Sequence, residues 1–372
     1  MLKFKVIAFG VALVGVIFAF DVDQRVRSPR FGNPAMLLQD ENFEVVVDGY
    51  SSIFSPDVEF ELIAESGNPY SLKIETRKGK NFLVSIKDDI PAGAFTLRAT
   101  IGEHTLENPK AVFVYENFPS SYKIAHAADL PDLDKGESEK LLHALFADVV
   151  ESGAEIFLLT GDIVYHGGRG RYRRFYEAAI KFDIPVIICP GNHEREDWPS
   201  YVYYYPDPVH VTQFGELKII SLDSAHGREQ ISDAQLRWFK EKLNQNSATE
   251  TIVQIHHPVV GPRSIERNQQ EFIELLLEHN VAATLSGHTH VDALHLIDGS
   301  EWVKEQMPPR PWLITTTTYD YDHAPAPNGG LSIPGYRLLT ITDNKLSSIG
   351  SLQPNGRSFM SEHVNLDSKL NK

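Results

Sequence analysis

The stretch Ile156-Phe157-Leu158-Leu159-Thr160-Gly161-Asp162-Ile163-Val164-Tyr165 decides the fold. Its first five residues form an unbroken apolar, β-favouring run, which reads as a strand covered on both faces, as parallel strands are. Glycine ends the run and aspartate follows, at the carboxyl end where open α/β sheets carry their ligands. Four other segments share this layout, each behind an apolar run. They are Ala128-Asp129-Leu130 upstream, and Gly191-Asn192-His193-Glu194, His256-His257-Pro258 and Gly287-His288-Thr289-His290 downstream. Alone, each has an ordinary reading: Gly-Asp starts helices, Gly-Asn turns the chain, and single histidines sit on surfaces or in satisfied cores. In this order they supply carboxylate, amide and imidazole donors for hard or borderline cations. That points to a site for two metal ions and to phosphoester chemistry.

Amphipathic helices separate these strands. Ser138 to Val150 places Leu141, Leu142, Leu145 and Val149 on one face and stops before Gly153. Ser232-Asp233-Ala234-Gln235 fits a capping box that opens a helix through Trp238, Phe239 and Leu243. Phe272 to Leu277 is the stripe of another. With strands at Ile156–Thr160, Val186–Cys189, Ile219–Leu222, Ile252–Ile255 and Ala282–Leu285, residues 120–345 read as one α/β domain. Ahead of it, residues 35–117 alternate with period two, as in Phe43–Val47, Val58–Leu62, Phe82–Ile86 and Phe95–Ala99. Turn formers separate these runs, predicting a small antiparallel β-sandwich of the immunoglobulin or fibronectin kind. It carries no ligand constellation, so its expected role is structural or docking. Residues 21–34, with Pro29, Gly32 and Pro34, read as a linker, and 346–372 as a tail.

A chain of 372 residues is long enough for two such domains. Its net charge of −15 argues against nucleic acid and anionic membrane surfaces as partners. Bound cations would neutralise part of that charge and supply the positive field that a phosphorylated small-molecule substrate needs. Cys189, the one cysteine, follows Pro185-Val186-Ile187-Ile188 and reads as a small buried residue. At the N-terminus, Lys3 and Lys5 precede the apolar stretch Val6–Phe20. Residues 1–20 therefore read as an export signal or an uncleaved signal anchor, and the expected location is outside the cytoplasm.

The five segments resemble the calcineurin-like metallophosphoesterase superfamily, whose ordered motifs run Asp-x-His, Gly-Asp-x-x, Gly-Asn-His, His and Gly-His-x-His. The resemblance covers about Tyr122 to Ile341 and includes Leu222-Asp223-Ser224 and Pro334-Gly335-Tyr336-Arg337. It implies a four-layer β-sandwich flanked by helices, behind the small all-β domain. It also implies that Asp162 bridges two metal ions. Asn192, His256 and His288 would complete one ion, Asp129 and His290 would bind the other, and His193 would serve as leaving-group acid or phosphate donor. One motif departs from the pattern, because Asp129-Leu130-Pro131 puts proline where histidine belongs. Tyr165, three residues after Asp162, is the candidate replacement. The purple acid phosphatase branch looks like this, with a tyrosinate on ferric iron, an N-terminal β-sandwich and frequent secretion. That branch's extra substrate histidines have no counterpart here, and Arg263 is the nearest polar group for a substrate.

Three functions follow as expectations. The first is a phosphomonoesterase with iron paired with iron, zinc or manganese. The second is a phosphodiesterase of the same superfamily using manganese or zinc. The third is a surface binding protein whose α/β half is a degenerate relic, supported by the missing histidine at Pro131. Iron bound by a tyrosinate is coloured, so protein purified without added metal is expected to show iron by elemental analysis and a visible band that Tyr165→Phe removes. An identical spectrum and metal content in that variant would eliminate Tyr165 as a ligand.

Overall fold

Period-two alternation builds the first of two units. The structure of the chain, a computed structural model, describes residues 25–48, 57–86, 90–134, 138–224, 230–245, 248–300, 310–316, 335–355 and 358–360. The expected export segment lies outside these residues. The strands of the first unit's eight-stranded sheet are β1 (Arg25–Ser28), β2 (Ala35–Leu38, of which only the last two residues fall in this unit), β3 (Phe43–Asp48), β4 (Val58–Ala64), β5 (Pro69–Lys78), β6 (Asn81–Ile86), β7 (Gly93–Ile101) and β8 (His104–Tyr115). Their hydrogen-bonded order is β1-β3-β6-β5-β4-β7-β8-β2. Strand β5 pairs with β4 through Pro69–Ser71 and with β6 through Leu72–Lys78, passing from one layer to the other. Phe60 of β4 then meets Phe82 of β6 with ring centroids 5.2 Å apart, which makes the core of a sandwich.

Two segments read as connectors carry structure. Arg25–Ser28, inside the expected linker, pairs antiparallel with β3, and Arg25 and Arg27 reach Asp48 at 3.2 and 3.4 Å. Residues 31–36 belong to the second unit, because Phe31 finds apolar partners there in Phe175, Tyr176 and Tyr205. The expected tail likewise starts within a long strand, Lys345–Asn355, paired along Tyr336–Thr342.

In the second unit one six-stranded sheet contains β9 (Tyr122–Ala127), β10 (Ala154–Thr160), β11 (Val186–Cys189), β18 (Tyr336–Thr342), β19 (Lys345–Asn355) and β20 (Ser358–Met360), in the order β11-β10-β9-β18-β19-β20. The other contains β12 (His210–Phe214), β13 (Leu217–Ser221), β14 (Glu250–Gln254), β15 (Ala283–Ser286), β16 (Ala293–His295) and β17 (Trp312–Thr315), in the order β12-β13-β14-β15-β17-β16. Strands β9, β10 and β11 are parallel to one another, as are β13, β14, β15 and β17. Helices α1 (Ser138–Glu151) and α2 (Arg169–Ala179) cover the first sheet, with Leu145, Phe146, Tyr172 and Phe175 against Phe157 and Leu159. Helices α4 (Asp233–Leu243) and α5 (Gln269–Glu278) cover the second, with Phe239 and Phe272 over Ile220 and Val253. Short α3 (Trp198–Tyr204) follows the third motif.

The two sheets meet through their inner faces. Tyr122 of β9 packs on Phe214 of β12 at 5.0 Å, and Arg337 Nε of β18 donates to the Thr315 carbonyl of β17 at 3.1 Å. Burial on both faces explains why β10 and β11 read as continuous apolar runs. The result is the expected four-layer α/β/β/α architecture. Ser232 does cap α4, its Oγ accepting from Gln235 N–H at 3.2 Å. Gln235 does not close the box; its amide instead pairs with the Asp223 backbone beyond β13, at 2.7 and 2.8 Å.

Two buried histidines make this unit acid-sensitive. Burial, with a smaller contribution from Arg337, lowers His126 on β9 to about 3. Burial lowers His210 on β12 to about 4, against the carbonyl of Asp207. Both folded values lie below the unfolded value of about 6.5, so the unfolded chain takes up these protons first. Stability is complete above that pH and falls as pH drops toward 4 and 3, by about 1.4 kcal/mol per pH unit for each group. Urea midpoints measured from pH 7 to 5 are expected to fall more steeply for the native chain than for a His126→Gln, His210→Gln double variant. Equal slopes would refute the assignment.

Candidate metal centre

The motifs occupy the carboxyl ends of five strands: Asp129 after β9, Asp162 after β10, Asn192 and His193 after β11, His256 after β14, and His288 and His290 after β15. Four of these residues hold left-handed backbone conformations, with φ of 53° at Asp129, 49° at Asp162, 67° at His288 and 57° at His290. Such conformations cost about 1–3 kcal/mol each in sparsely populated regions and persist only where the surroundings enforce them. Here neighbouring loops do so. Asp129 N–H donates to the Gly161 carbonyl at 3.2 Å, Leu130 N–H to the Asp162 carbonyl at 2.8 Å, and Gly287 N–H to the His256 carbonyl at 3.0 Å. The motif glycines are required by close approach. A β-carbon on Gly191 would lie 2.5 Å from the Asp162 backbone nitrogen, and one on Gly287 would lie 2.5 Å from Asp129 Oδ2.

The donor atoms converge. His256 Nδ1 lies 2.8 Å from the Thr160 carbonyl, which can only accept, so one proton sits on Nδ1 and Nε2 is the nitrogen left to take a second proton or a cation. Nε2 faces Asn192 Oδ1 at 3.1 Å and Asp162 Oδ2 at 3.2 Å. Three electron-rich atoms so close are satisfied only by a proton or a cation. One ligand atom each from Asp162, His256 and His288 falls within 4.8 Å of the other two. On the other side, His290 Nε2 is 3.3 Å from Asp129 Oδ1, and Asp129 Oδ2 accepts from His288 N–H at 2.9 Å. Burial opposes a charge on His256, but Asp162 first and Asp129 next raise it to about 9. Burial raises Asp162 in turn, yet His256 and His193 outweigh it and hold the carboxyl well below its usual range. The site selects positive charge, and its donors suit a dinuclear centre.

Glu194, quoted in the third motif without a role, holds the loops in place. It is fully buried, and its carboxylate accepts from Asp162 N–H at 2.9 Å, Ile163 N–H at 3.0 Å and Gly191 N–H at 2.6 Å. Burial and the charge of Asp162 push it up to about 8, while the backbone donors pull it back. Its position directly after Asn-His was the available signal. Arg195 forms an ion pair with buried Asp223 and lies 3.6 Å over the Trp198 ring, so it is anchored away from ligand duty. Ser224 Oγ accepts from His257 N–H at 3.0 Å and touches its Nδ1 at 2.8 Å, which seats His257 beside His288.

His193 donates its backbone N–H to Asp162 Oδ1 at 2.9 Å, and its Nε2 lies 3.8 Å from Asp162 Oδ2. Tyr165 stacks on the His193 ring at 5.0 Å and meets His166 edge-on at 4.5 Å. Arg263 is exposed, with φ of 55°; burial and then the charge of His256 lower His257 and His288, and Arg263 adds the smallest contribution. The tyrosines after the third motif, expected as a specificity loop, turn largely inward: Tyr201 and Tyr205 are buried against Tyr172, while Tyr203 stays exposed.

A family model described as calcineurin-like phosphoesterase matches residues 122–292. The 3',5'-cyclic adenosine monophosphate phosphodiesterase CpdA of Haemophilus influenzae is 31% identical over 220 residues, 52% of this chain and 77% of that protein. The chain belongs to the calcineurin-like phosphoesterase family. Such enzymes use a dinuclear metal centre. A probable cyclic nucleotide phosphodiesterase of Synechococcus sp. is 26% identical over 161 residues, 40% of this chain and 62% of that protein. A probable glycerophosphodiester phosphodiesterase GpdQ of Arcobacter nitrofigilis is 26% identical over 155 residues, 37% of this chain and 56% of that protein. The chain thus spans less than two thirds of the length of these last two relatives.

Glu194→Ala is expected to destabilise this phosphoesterase by about 3 kcal/mol or more, since it strands three buried N–H groups at about 1–3 kcal/mol each. It should also lower the retained metal. A urea midpoint and metal content equal to those of the native chain would show that the carboxylate has no such role.

Proposed function

We propose that the chain is a metal-dependent phosphodiesterase acting on small phosphodiesters, with cyclic nucleotides the leading substrate class. The observation that carries this reading is the 31% identity to a cyclic AMP phosphodiesterase across 77% of that protein. The other two relatives are named as probable phosphodiesterases. Asp129, Asp162, Asn192, His256, His288 and His290 would hold the two ions, with Asp162 shared. When bound, such ions supply Lewis-acid stabilisation of phosphoryl oxygens and lower the pKa of an attacking water. The side chains do the rest. His193 would direct Nε2 toward the phosphoryl group or the leaving oxygen, Glu194 would keep the Asp162 loop rigid, and Arg263 would meet the outer part of the substrate.

The monoesterase reading, with Tyr165 on iron, rests on proline at position 131. In the diesterase reading the stacking of Tyr165 on His193 is a packing contact that orients the imidazole.

The two readings differ in turnover. With manganese restored after chelation, kcat/KM for 3',5'-cyclic AMP or a bis-aryl phosphate is expected to exceed that for an aryl monophosphate by at least about tenfold. Asp162→Asn should lower diester turnover by at least about 100-fold, consistent with the loss of a group that positions both ions. A preference for the monoester would sink the diesterase reading. Undiminished hydrolysis by Asp162→Asn would sink both.

A further inference from the structure

Next to the proposed centre, a second set of donors comes together that includes none of the six proposed ligands. His166 Nδ1 lies 3.0 Å from Glu196 Oε2 and 3.4 Å from Oε1, and His193 Nδ1 lies 2.8 Å from Glu196 Oε1. One ligand atom from each of the three residues falls within 4.8 Å of the other two. We infer that His166, His193 and Glu196 form a third cation site, which takes one borderline divalent ion of the zinc class through two imidazole nitrogens and a carboxylate oxygen.

The spacing suits such an ion. Four-coordinate zinc with bonds of about 2.0–2.1 Å sets its ligand atoms about 3.3 Å apart. The nitrogen–oxygen separations here, 2.8 to 3.4 Å, bracket that value, so an ion enters with small side-chain shifts. The rings are already set. They stand perpendicular at 5.5 Å, and Tyr165 packs against both. Glu196 is held from behind by Gly167 N–H at 3.3 Å. Burial opposes its ionisation, but His193 and His166 together outweigh it, lower its pKa and keep it a carboxylate. An entry path exists, because the side chains of His166 and Glu196 are 49% and 42% exposed, which also leaves a fourth position open to water. The ion would sit at Nδ1 of His193, leaving Nε2 turned to Asp162.

The site is read by counting ions. Equilibrium dialysis against Zn²⁺, followed by elemental analysis, is expected to give three equivalents for the full chain and two for His166→Ala. In an Asp162→Asn background the centre loses ions, and adding His166→Ala removes one more. Co²⁺ in place of Zn²⁺ should give an absorption band that disappears with His166→Ala. Equal ion counts with and without His166→Ala in both backgrounds would overturn the third site. Failure of Asp162→Asn alone to lose ions would count against the proposed centre and leave this comparison intact.

Discussion

The buried carboxylate of Glu194 ties the ends of two parallel strands into one rigid edge. Its oxygens take the N–H groups of Gly191, Asp162 and Ile163, which the left-handed turn at Asp162 leaves without strand partners. With those donors satisfied, Asp162 can hold an unfavourable backbone conformation and present both oxygens to its surroundings. Oδ1 accepts from the His193 backbone, while Oδ2 faces His256. The motif residues on this side inherit their position from that arrangement. The cost of burying Glu194 is offset by its three backbone hydrogen bonds and by the positive charge of His256 nearby.

The opposite wall is built by a different device. Asp129 and His288 follow strands of different sheets, and they are joined where the Asp129 carboxylate accepts the His288 N–H. That contact requires glycine at position 287, since any β-carbon there would occupy the carboxylate's space. The same logic applies at Gly191 beside Asp162. The glycines of these motifs thus act by absence of a side chain, letting two sheets bring carboxylates and imidazoles within a few ångströms. His256 spans the gap, with Nδ1 fixed on the Thr160 carbonyl of one sheet while its own backbone continues the other.

What the sequence revealed depended on how local the physics was. The parallel strands were legible because burial on both faces leaves continuous apolar runs, and Val186–Cys189 was read with its observed boundaries. Strand β5 was not, because all but one or two of its residues face solvent and no alternation survives. The linker was misread for the opposite reason: the prolines and glycine around Phe31 look like a connector, and only tertiary contacts with Phe175 and Tyr205 give that ring a place. The six proposed ligands stand out in the sequence by strand-end position, and the structure brings donor atoms of Asp162, Asn192, His256 and His288 together, with Asp129 beside His288 and His290. Sequence spacing does not disclose the roles of Glu194 and Glu196, since two of the three N–H partners of Glu194 are about thirty residues away, and Glu196 meets His193, already credited with other work, and His166, thirty residues away. The capping box at Ser232 shows the same limit, as Gln235 had a tertiary partner in the Asp223 backbone that no local pattern reports.

Proline at position 131 then takes on a different meaning. Leu130 and Pro131 are buried just past the end of β9, so this position packs the floor of the loop. Under the proposed ligand set, one ion has Asn192, His256 and His288 beside Asp162, and the other has only Asp129 and His290 beside it. Catalytic metal sites keep open positions for water and substrate, whereas structural sites close them with protein donors. A donor-poor half next to a donor-rich half is therefore the division that hydrolysis calls for: one ion firmly held, the other with room for the reacting groups. The charge balance agrees. Arg195 is committed to Asp223 and Arg337 to Asp292, so the described guanidiniums nearest these motifs are largely neutralised, with Arg263 at the exposed margin. A singly charged diester asks less of such surroundings than a doubly charged monoester does. The lost histidine is thus better explained as room for substrate than as decay of the site.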